Sequence, residues 1–322
     1  MRRGFDLSQY EAAHRRRTRV AALLIFVCIP LTLALAASLF GNSRYLLLGA
    51  IILIYTMIPF FMVFERRKPK AREIVLIAAM AALTVCISMV FYMTIPIKAG
   101  SAMVIIAGIS LGPEAGFLVG ALARFVLNFY QGHGAWTPWQ MFCWGLLGFL
   151  AGLCFNKVSI ANAMHKQQPV EKQKSGDFKM ILGPVLCILF ALLAAYISYL
   201  LIPGEDTTFF GWRLYVFGAL GLLLGVAVQR RRLPVDSVTL TVFTFFTIFI
   251  IYGGIMNICA MVTTAAIPGG APVSLEALKA LYISGASYDA AHAATAALFM
   301  FLFGKRMIRR VERVKIKYGI YR

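Results

Sequence analysis

The sequence predicts an all-α integral membrane protein, a polytopic helical bundle of about ten spans. Hydrophobic residues make up 60% of the 322 positions and the mean hydropathy is +0.78, whereas soluble domains are only about half apolar. Windows of about 20 apolar residues, the length that an α-helix needs to cross a bilayer, also recur along the chain. The ten candidate spans are 20–40, 45–64, 73–93, 101–112, 115–130, 139–155, 180–202, 213–229, 238–262 and 285–304.

Basic and polar stretches divide the chain into four predicted units. Residues 1–70 form a basic tail and an accessory transmembrane hairpin, which a run of basic residues closes. Residues 71–155 begin a core, and residues 156–230 form an inserted linker and transmembrane hairpin. Residues 231–322 supply the last two core helices and a basic cytoplasmic tail.

Lysine and arginine are distributed asymmetrically between the two sides of the predicted bundle. With both termini in the cytoplasm, the outer segments hold only Arg44, Lys98, Arg213 and Lys279, and Arg124 lies within a span. The other Lys and Arg residues all fall inside, which predicts a multi-pass protein of the cell membrane with cytoplasmic termini. The basic clusters are expected to contact anionic lipid headgroups or a cytoplasmic partner. The formal charge of +19 does not indicate nucleic-acid binding, because no recognition fold accompanies it.

Motifs for metal binding, nucleotide hydrolysis and covalent catalysis are absent from the sequence. The 6 cysteines fall in apolar spans without CxxC spacing, so we expect neither a disulfide nor a metal site. Because no GxxxxGK[ST] run is present, the chain is not expected to hydrolyse ATP by itself. There is no nucleophile elbow or carboxylate pair, and we predict that the chain is not an enzyme. An intramembrane enzyme that uses His292 and Asp289 as acid and base stays open.

Small residues at helical spacing mark faces on which helices pack closely. Ala78 and Ala82 lie four residues apart in the first core helix, and Ala71 lies near the same face. Such a face lets a second helix approach and pack by van der Waals contact. The sequence leaves open whether that helix belongs to the same bundle or to another subunit. Gly116 and Gly120 form a similar face in the helix that follows a predicted Gly-Pro turn.

Arg124 lies within a predicted span, one turn after Gly120. A charge at that depth costs roughly 3 kcal/mol, so its side chain is expected to face the bundle interior or water and to have a partner. Asp289, in the last span, is the acidic residue that can reach it, because Glu114 lies about 15 Å away along the same helix. We therefore predict a buried charge pair of Arg124 and Asp289. The alternative is that the stem of Arg124 extends to the membrane interface.

Polar side chains gather at the outer ends of the core helices. In the predicted topology they form the mouth of a small-molecule site, because a pocket with aromatic walls and a few directed polar groups suits such ligands. One of the tryptophans Trp136, Trp139 and Trp144 is expected to be an interfacial belt residue only. The predicted substrate-binding residues are Asn128, Gln131, His133, Trp136, Thr137, Trp139, Gln140, Asn257, Asp289 and His292.

Four stretches of the chain resemble a known family of membrane proteins. They read AREIVLIAAMAAL, AGISLGPEAGFLVGAL, LNFYQGHGAWTPWQM with WGLLGFLAGL, and SYDAAHA followed by FGKRMIRRVERVKIKYG. From Ala71 onward, without the insert at 156–230, the chain resembles the substrate-specific S components of energy-coupling factor (ECF) vitamin importers. The third stretch is most similar to the cobalamin-type S components, which carry a related Asn-Phe and Trp-Thr-Pro-Trp-Gln run.

The resemblance implies a six-helix core that captures a vitamin from outside, with cobalamin or a related corrinoid as the expected ligand. It implies as partners a membrane-embedded T subunit and two ABC ATPases that hydrolyse ATP, so no cofactor is expected on this chain. In that family an AxxxA face on the first core helix docks on the T subunit, and here it falls on Ala78 and Ala82. The open alternatives are an S component for another vitamin or precursor and a self-sufficient secondary transporter.

Overall fold

The computed structural model describes most of the predicted core. The residues described are 71–94, 97–155, 233–318 and 320, with the single positions 57, 217, 220 and 221. The predicted N-terminal unit and nearly all of the predicted insert lie outside these residues. The predicted spans that fall wholly or mostly there are 20–40, 45–64, 180–202 and 213–229.

Within the described ranges the chain is helical, with no strand beyond one isolated bridge. In chain order the helices are α1 (Ala71–Thr94), α2 (Ala99–Leu111), α3 (Pro113–Gln131), α4 (Thr137–Cys154), α5 (Ser237–Ala265), α6 (Leu275–Phe299) and α7 (Lys305–Lys317). A π-helical stretch, Thr247–Tyr252, lies inside α5, and a second one, Met300–Gly304, joins α6 to α7. With α6 and α7 counted as one rod, these ranges hold six rods, the number that the resemblance implies for the core.

Helix ends fall where the local sequence favours them. Gly112 separates α2 from α3 with a φ of 102°, which glycine adopts readily, and a proline begins α3, as the Gly-Pro turn predicts. The carboxylate of Asp236 caps α5 by accepting a hydrogen bond from the backbone N–H of Thr239 at 2.9 Å. Ser274 caps α6 in the same way through the backbone N–H of Ala277 at 3.1 Å. These caps satisfy amides that lack an intrahelical acceptor.

The last span begins earlier than the sequence pattern predicts. That pattern separates an amphipathic piece, Leu275 to Ile283, from a span that opens at Gly285. In the structure α6 runs without interruption from Leu275 to Phe299. Gly285 does not end the helix. Its missing side chain instead allows close packing on α5, because a Cβ atom there would lie 2.8 Å from Oδ1 of Asn257.

The backbones of α2, α3 and α4 touch at Gly108, Gly116 and Gly148, which we call the glycine junction. A Cβ atom on Gly148 would overlap the carbonyl oxygen of Gly116, and one on Gly108 would overlap the carbonyl oxygen of Gly148. One turn further along α3, Gly120 meets the backbone of Trp144. Close packing at Gly116 and Gly120 is thus confirmed, and it joins three helices rather than two.

Phe155 and Leu233, at the edges of residues 156–232, lie side by side. They form an isolated parallel bridge, and the backbone N–H of Leu233 donates to the carbonyl oxygen of Cys154 at 2.8 Å. The end of α4 and the segment before α5 therefore lie at the same place in the bundle. The insert at 156–230 and the division into four units stay predictions.

The two ends of α2 face opposite ends of the bundle. At its C-terminal end, the ammonium of Lys315 on α7 donates to the carbonyl oxygen of Ser110 and pairs with Glu312 at 3.1 Å. The guanidinium of Arg72, at the start of α1, donates to the carbonyl oxygen of Tyr318 at 3.1 Å. The basic helix α7 and the start of α1 therefore share one end. The N-terminal end of α2 lies about 18 Å away by the helical rise.

Two helices, α1 and α5, are long and apolar enough to cross a membrane by length and composition. The helices α3 and α4 are shorter, and the polar residues at their adjoining ends lower their mean hydropathy. Large apolar side chains are exposed on the bundle, among them Leu122, Phe129, Leu298 and Phe301. This apolar exterior agrees with a helical membrane protein, whereas the number of ten spans stays a prediction.

Replacing Gly148 by alanine is expected to destabilise the bundle, because the added methyl group would overlap a backbone carbonyl oxygen of α3. Overpacking of this kind costs about 1–3 kcal/mol. We expect a lower midpoint of thermal unfolding in detergent. Ala294→Val, at an exposed position of α6, should leave the midpoint unchanged. If Gly148→Ala unfolds at the same temperature as the parent chain, the three helices do not pack as closely as described.

Candidate functional site

A cavity of about 400 Å³ lies at the end of the bundle at which α2 begins. Each of the helices α1 to α6 contributes to its wall. The aromatic part of the wall consists of Tyr92, Trp136, Trp144, Tyr252 and Tyr288. The longer polar side chains and the imidazole are those of Lys98, Arg124, Gln131, Gln140 and His292. This volume and this mixture are typical of a small-molecule site.

The first turn of α2 forms one side of the cavity. Gly100 leaves room for the indole of Trp144, because a Cβ atom at Gly100 would lie 2.6 Å from that ring. The hydroxyl of Ser101 lies 2.9 Å from Nε2 of His292, and the ring of Tyr252 packs edge-on against this imidazole with 4.8 Å between the centroids. A helix start, an imidazole and two aromatic rings therefore form one continuous wall.

Asn128 joins the end of α3 to the start of α4. Its side chain is fully buried, and its Nδ2 group donates to Oγ1 of Thr137 at 3.2 Å and to Oε1 of Gln140 at 3.0 Å. The hydroxyl of Thr137 also accepts a hydrogen bond from the backbone N–H of Gly134 at 3.0 Å. Asn128 and Thr137 thus fix the loop and hold the amide of Gln140 in the cavity wall, although neither lines the cavity itself.

The predicted pair of Arg124 with Asp289 is not formed in the structure. The Nε and Nη2 groups of Arg124 both donate to Oε1 of Gln140, at 2.9 and 2.8 Å, and the guanidinium lies 5.3 Å from the ring centroid of Trp144. Asp289 instead accepts a hydrogen bond from Asn257 at 2.9 Å. The reason is the packing of α3 along α4, which brings an amide of α4 to the guanidinium. Because Arg124 lines the cavity, its stem does not extend to the interface either.

Part of the loop between α3 and α4 reaches the cavity. Gln131, at the end of α3, and Trp136, in the loop, line it, and their role in substrate binding stays a prediction. His133 is exposed instead, and its ring packs against two phenylalanines of α3 at 4.6 and 5.3 Å between centroids. Trp139 is only 1% exposed and is not a lining residue. The cavity tryptophans are therefore Trp136 and Trp144.

Asn257, Asp289 and His292 have separate surroundings on α5 and α6. Asn257 and Asp289 are buried together, and Gly253 makes room for the carboxylate. His292 lines the cavity, where Ser101 is its partner. His292 and Asp289 thus have different hydrogen-bond partners. Within the described residues, no group of three or more His, Cys, Asp or Glu side chains is placed to hold a metal ion.

Residues from four helices and one loop complete the wall although their sequence positions did not predict it. They are Tyr92, Lys98, Ser101, Tyr252 and Tyr288. Lys98 carried a usable signal, because it is one of few cations on the predicted outer side and stands directly before an apolar helix. Tyr288 carried a weaker signal, since it adjoins the predicted site residue Asp289.

Ala78 and Ala82 are exposed on α1, so they do not pack inside the described bundle. Val75 and Cys86 extend this exposed surface along the helix. The same helix contributes Tyr92 to the cavity wall near its other end. Two surfaces therefore occupy different parts of α1. One is the exposed face of small residues, which another helix could pack against, and the other is the part that lines the cavity.

Arg124 and Gln140 are expected to be energetically coupled, because they share two hydrogen bonds. The effects of Arg124→Met and Gln140→Leu on the free energy of unfolding should deviate from additivity by about 1 kcal/mol. Arg124→Met and Asp289→Asn should add to within about 0.5 kcal/mol, because they share no partner. Equilibrium unfolding in mixed micelles gives the free energy of unfolding of the single and double variants of both pairs. Coupling to Asp289 as strong as coupling to Gln140 would refute this arrangement.

A family model matches part of the chain. Residues 68–171 of 322 match the model described as ECF-type riboflavin transporter, S component. No curated protein and no solved structure matches the chain. The matched stretch contains α1 to α4, the glycine junction and the loop with Trp136. The resemblance to ECF S components is therefore confirmed; the matching model is of the riboflavin type, and the expected cobalamin type is not confirmed. Over residues 68–171 the chain is therefore similar to the S components of ECF transporters, which are transport proteins.

Proposed function

We propose that this chain is the substrate-specific membrane subunit of an ECF importer and captures a vitamin from outside the cell. The cavity at the start of α2 carries the proposal, because its wall combines aromatic rings with polar groups that hydrogen bonds already hold in place. Sites for small organic molecules are usually built in this way. The wall residues from Ser88 to Trp144 lie within the stretch that matches the family.

The cavity, in this proposal, opens to the outside and both termini lie in the cytoplasm. The basic helix α7 contacts the C-terminal end of α2 through Lys315, whereas the cavity adjoins the N-terminal end of α2. Lysine and arginine concentrate on the cytoplasmic side of membrane proteins, so the basic end of the bundle belongs inside. The chain is then a multi-pass protein of the cell membrane, with the loop between α3 and α4 at the outer rim.

The solute that we propose is a vitamin with a flat ring system, of which riboflavin is the leading candidate. The riboflavin type of the matching family supports it, as does the cavity volume of about 400 Å³. The rings of Trp136, Trp144 and Tyr252 are available for stacking. A corrinoid is several times bulkier than riboflavin, but the Trp-Thr-Pro-Trp-Gln run at 136–140 keeps cobalamin as the second candidate.

The energy for uptake comes, in this proposal, from a membrane-embedded T subunit and two ABC ATPases, as the family implies. The exposed face with Ala78 and Ala82 on α1 supports docking of a second helix, because small side chains allow close packing inside a membrane. The chain needs no cofactor of its own for this role. Solute capture and coupling to ATP hydrolysis are thereby divided between polypeptides.

The purified chain is expected to bind riboflavin saturably, with one site per chain and more tightly than cobalamin. Tryptophan fluorescence reports the binding, because Trp136 and Trp144 line the cavity. Trp136→Ala should weaken riboflavin binding about tenfold through lost stacking and lost apolar burial.

Phe301→Ala is the matched control for this experiment. Phe301 is also an exposed aromatic residue, at 52%, but it is not part of the cavity wall, so the variant should bind like the parent chain. Binding of cobalamin without riboflavin would transfer the substrate assignment to the second candidate. A panel of vitamins of which none binds would refute the proposed function.

Ala78→Leu and Ala82→Leu should each reduce co-purification of the T subunit strongly and leave solute binding unchanged. The larger side chains remove the smooth surface on α1 without touching the cavity wall. Ala294→Leu, at an exposed alanine on α6, controls for the added bulk and should keep the association. Loss of solute binding with intact association would reject the docking role of these two alanines.

A further inference from the structure

Two cationic side chains line the cavity without an acidic partner. Lys98 precedes α2 and Arg124 lies on α3, and both belong to the cavity wall. Among the described residues, no salt bridge joins either cation to a carboxylate, and the salt bridge of Lys315 with Glu312 lies at the other end of α2. None of the described residues that line the cavity is Asp or Glu. The wall thus carries positive charge that the described part of the protein does not neutralise.

Further groups of the same wall are hydrogen-bond donors. The indole N–H of Trp144 has no hydrogen-bond partner although the side chain is only 4% exposed. The first amides of α2 lack intrahelical acceptors, no side chain caps them, and the helix dipole adds partial positive charge there. Because Gly100 brings the indole of Trp144 against this helix start, the donors lie together.

Hydrogen bonds hold the guanidinium of Arg124 in one orientation. Two of its donor groups are engaged by Gln140, whose amide oxygen also accepts from Asn128, so the guanidinium has a fixed orientation. Its Nη1 group takes no part in these bonds. Lys98 lies beside the phenol ring of Tyr288, with its ammonium 5.9 Å from the ring centroid. Neither cation has to break an ion pair before it contacts a solute.

We propose that the solute itself supplies the missing negative charge. Riboflavin itself is uncharged, so within the flavins the inference favours a phosphate ester over riboflavin. The solute carries an anionic oxygen group, phosphate or carboxylate, which binds between Lys98, Arg124 and the first turn of α2 while its ring system contacts the aromatic wall. An uncompensated charge inside a membrane protein is unfavourable, and charge-assisted hydrogen bonds to an anion would offset that cost. The inference rests on the proposed function, since it takes the cavity to be the solute site.

A matched pair of ligands tests the proposal. Riboflavin and riboflavin 5′-phosphate differ only in the phosphate, so the parent chain should bind the phosphate ester at least about tenfold more tightly. Lys98→Gln should remove most of this preference and Lys98→Arg should keep it. Lys279→Gln removes the same charge from a residue outside the cavity wall and should leave the preference unchanged. Tight riboflavin binding without any preference for the ester would overturn the inference but leave the proposed function intact.

Inorganic phosphate provides a second test that does not depend on the ring. It should change the tryptophan fluorescence of the parent chain saturably, sodium chloride at the same ionic strength should not, and Lys98→Gln should abolish the response. A phosphate response without flavin binding would support the anion site and refute the flavin assignment. No response to phosphate, together with equal binding of the two flavins, would overturn the inference.

Lipid phosphate has the same chemistry as a soluble phosphate ester, so both tests are repeated with added phosphatidylglycerol or phosphatidylcholine. We expect the phosphate ester to bind equally well in both lipids. If phosphatidylglycerol abolishes the preference for the ester, the two cations bind headgroups rather than the solute, which also overturns the proposal.

Discussion

Direct contact between three helix backbones determines where this bundle can contain a cavity. At Gly108, Gly116 and Gly148 a single methyl group would not fit, so α2, α3 and α4 are packed at this level as closely as helices can be. Toward the start of α2, the same helices carry an indole and long polar side chains instead. Side chains of this size do not fill the space between the helices as completely as the direct backbone contact at the glycine junction does. A cavity remains on that side of the junction.

The polar groups of α3 and α4 then give the cavity a fixed chemical character. One amide oxygen, that of Gln140, accepts hydrogen bonds from Arg124 and from the buried Asn128. Because this acceptor is neutral, the hydrogen bonds orient the guanidinium, and no carboxylate neutralises its positive charge. A buried ion pair would have left no net charge for a ligand. The wall is therefore both ordered and positive before any solute arrives, and such preorganisation reduces the cost of binding.

Sequence reasoning located the helices and the tight contacts because both depend on local patterns. Gly116 and Gly120 have a spacing that only close packing explains, and the Gly-Pro turn after α2 needs no knowledge of the rest of the chain. Gln131 and the loop with Trp136 could also be predicted from the sequence, since polar and aromatic residues at the end of an apolar helix stand out. Hydropathy misplaced the start of α6, because a glycine inside a helix resembles a break when its neighbour is unknown.

The partners of individual side chains were much harder to predict. Charge alone favoured Asp289 for Arg124, but the packing of α3 on α4 brings Gln140 to the guanidinium instead. Tyr252 and Tyr288 enter the wall from helices far along the chain, so no local pattern connects them with Trp136. The cobalamin subtype rested on one short run of residues, whereas the family match extends over 68–171 and indicates the riboflavin type.

The most direct test of the central claim, that this cavity holds the solute, is mass-spectrometric identification of the small molecule that stays bound when the chain is purified from membranes. Gln131→Trp fills the cavity from its rim, where Gln131 is only partly buried, so the fold should tolerate the change. We expect one ring-containing molecule, bound at about one molecule per chain, on the parent protein and none on Gln131→Trp. The same amount of the same molecule on both proteins would contradict the account.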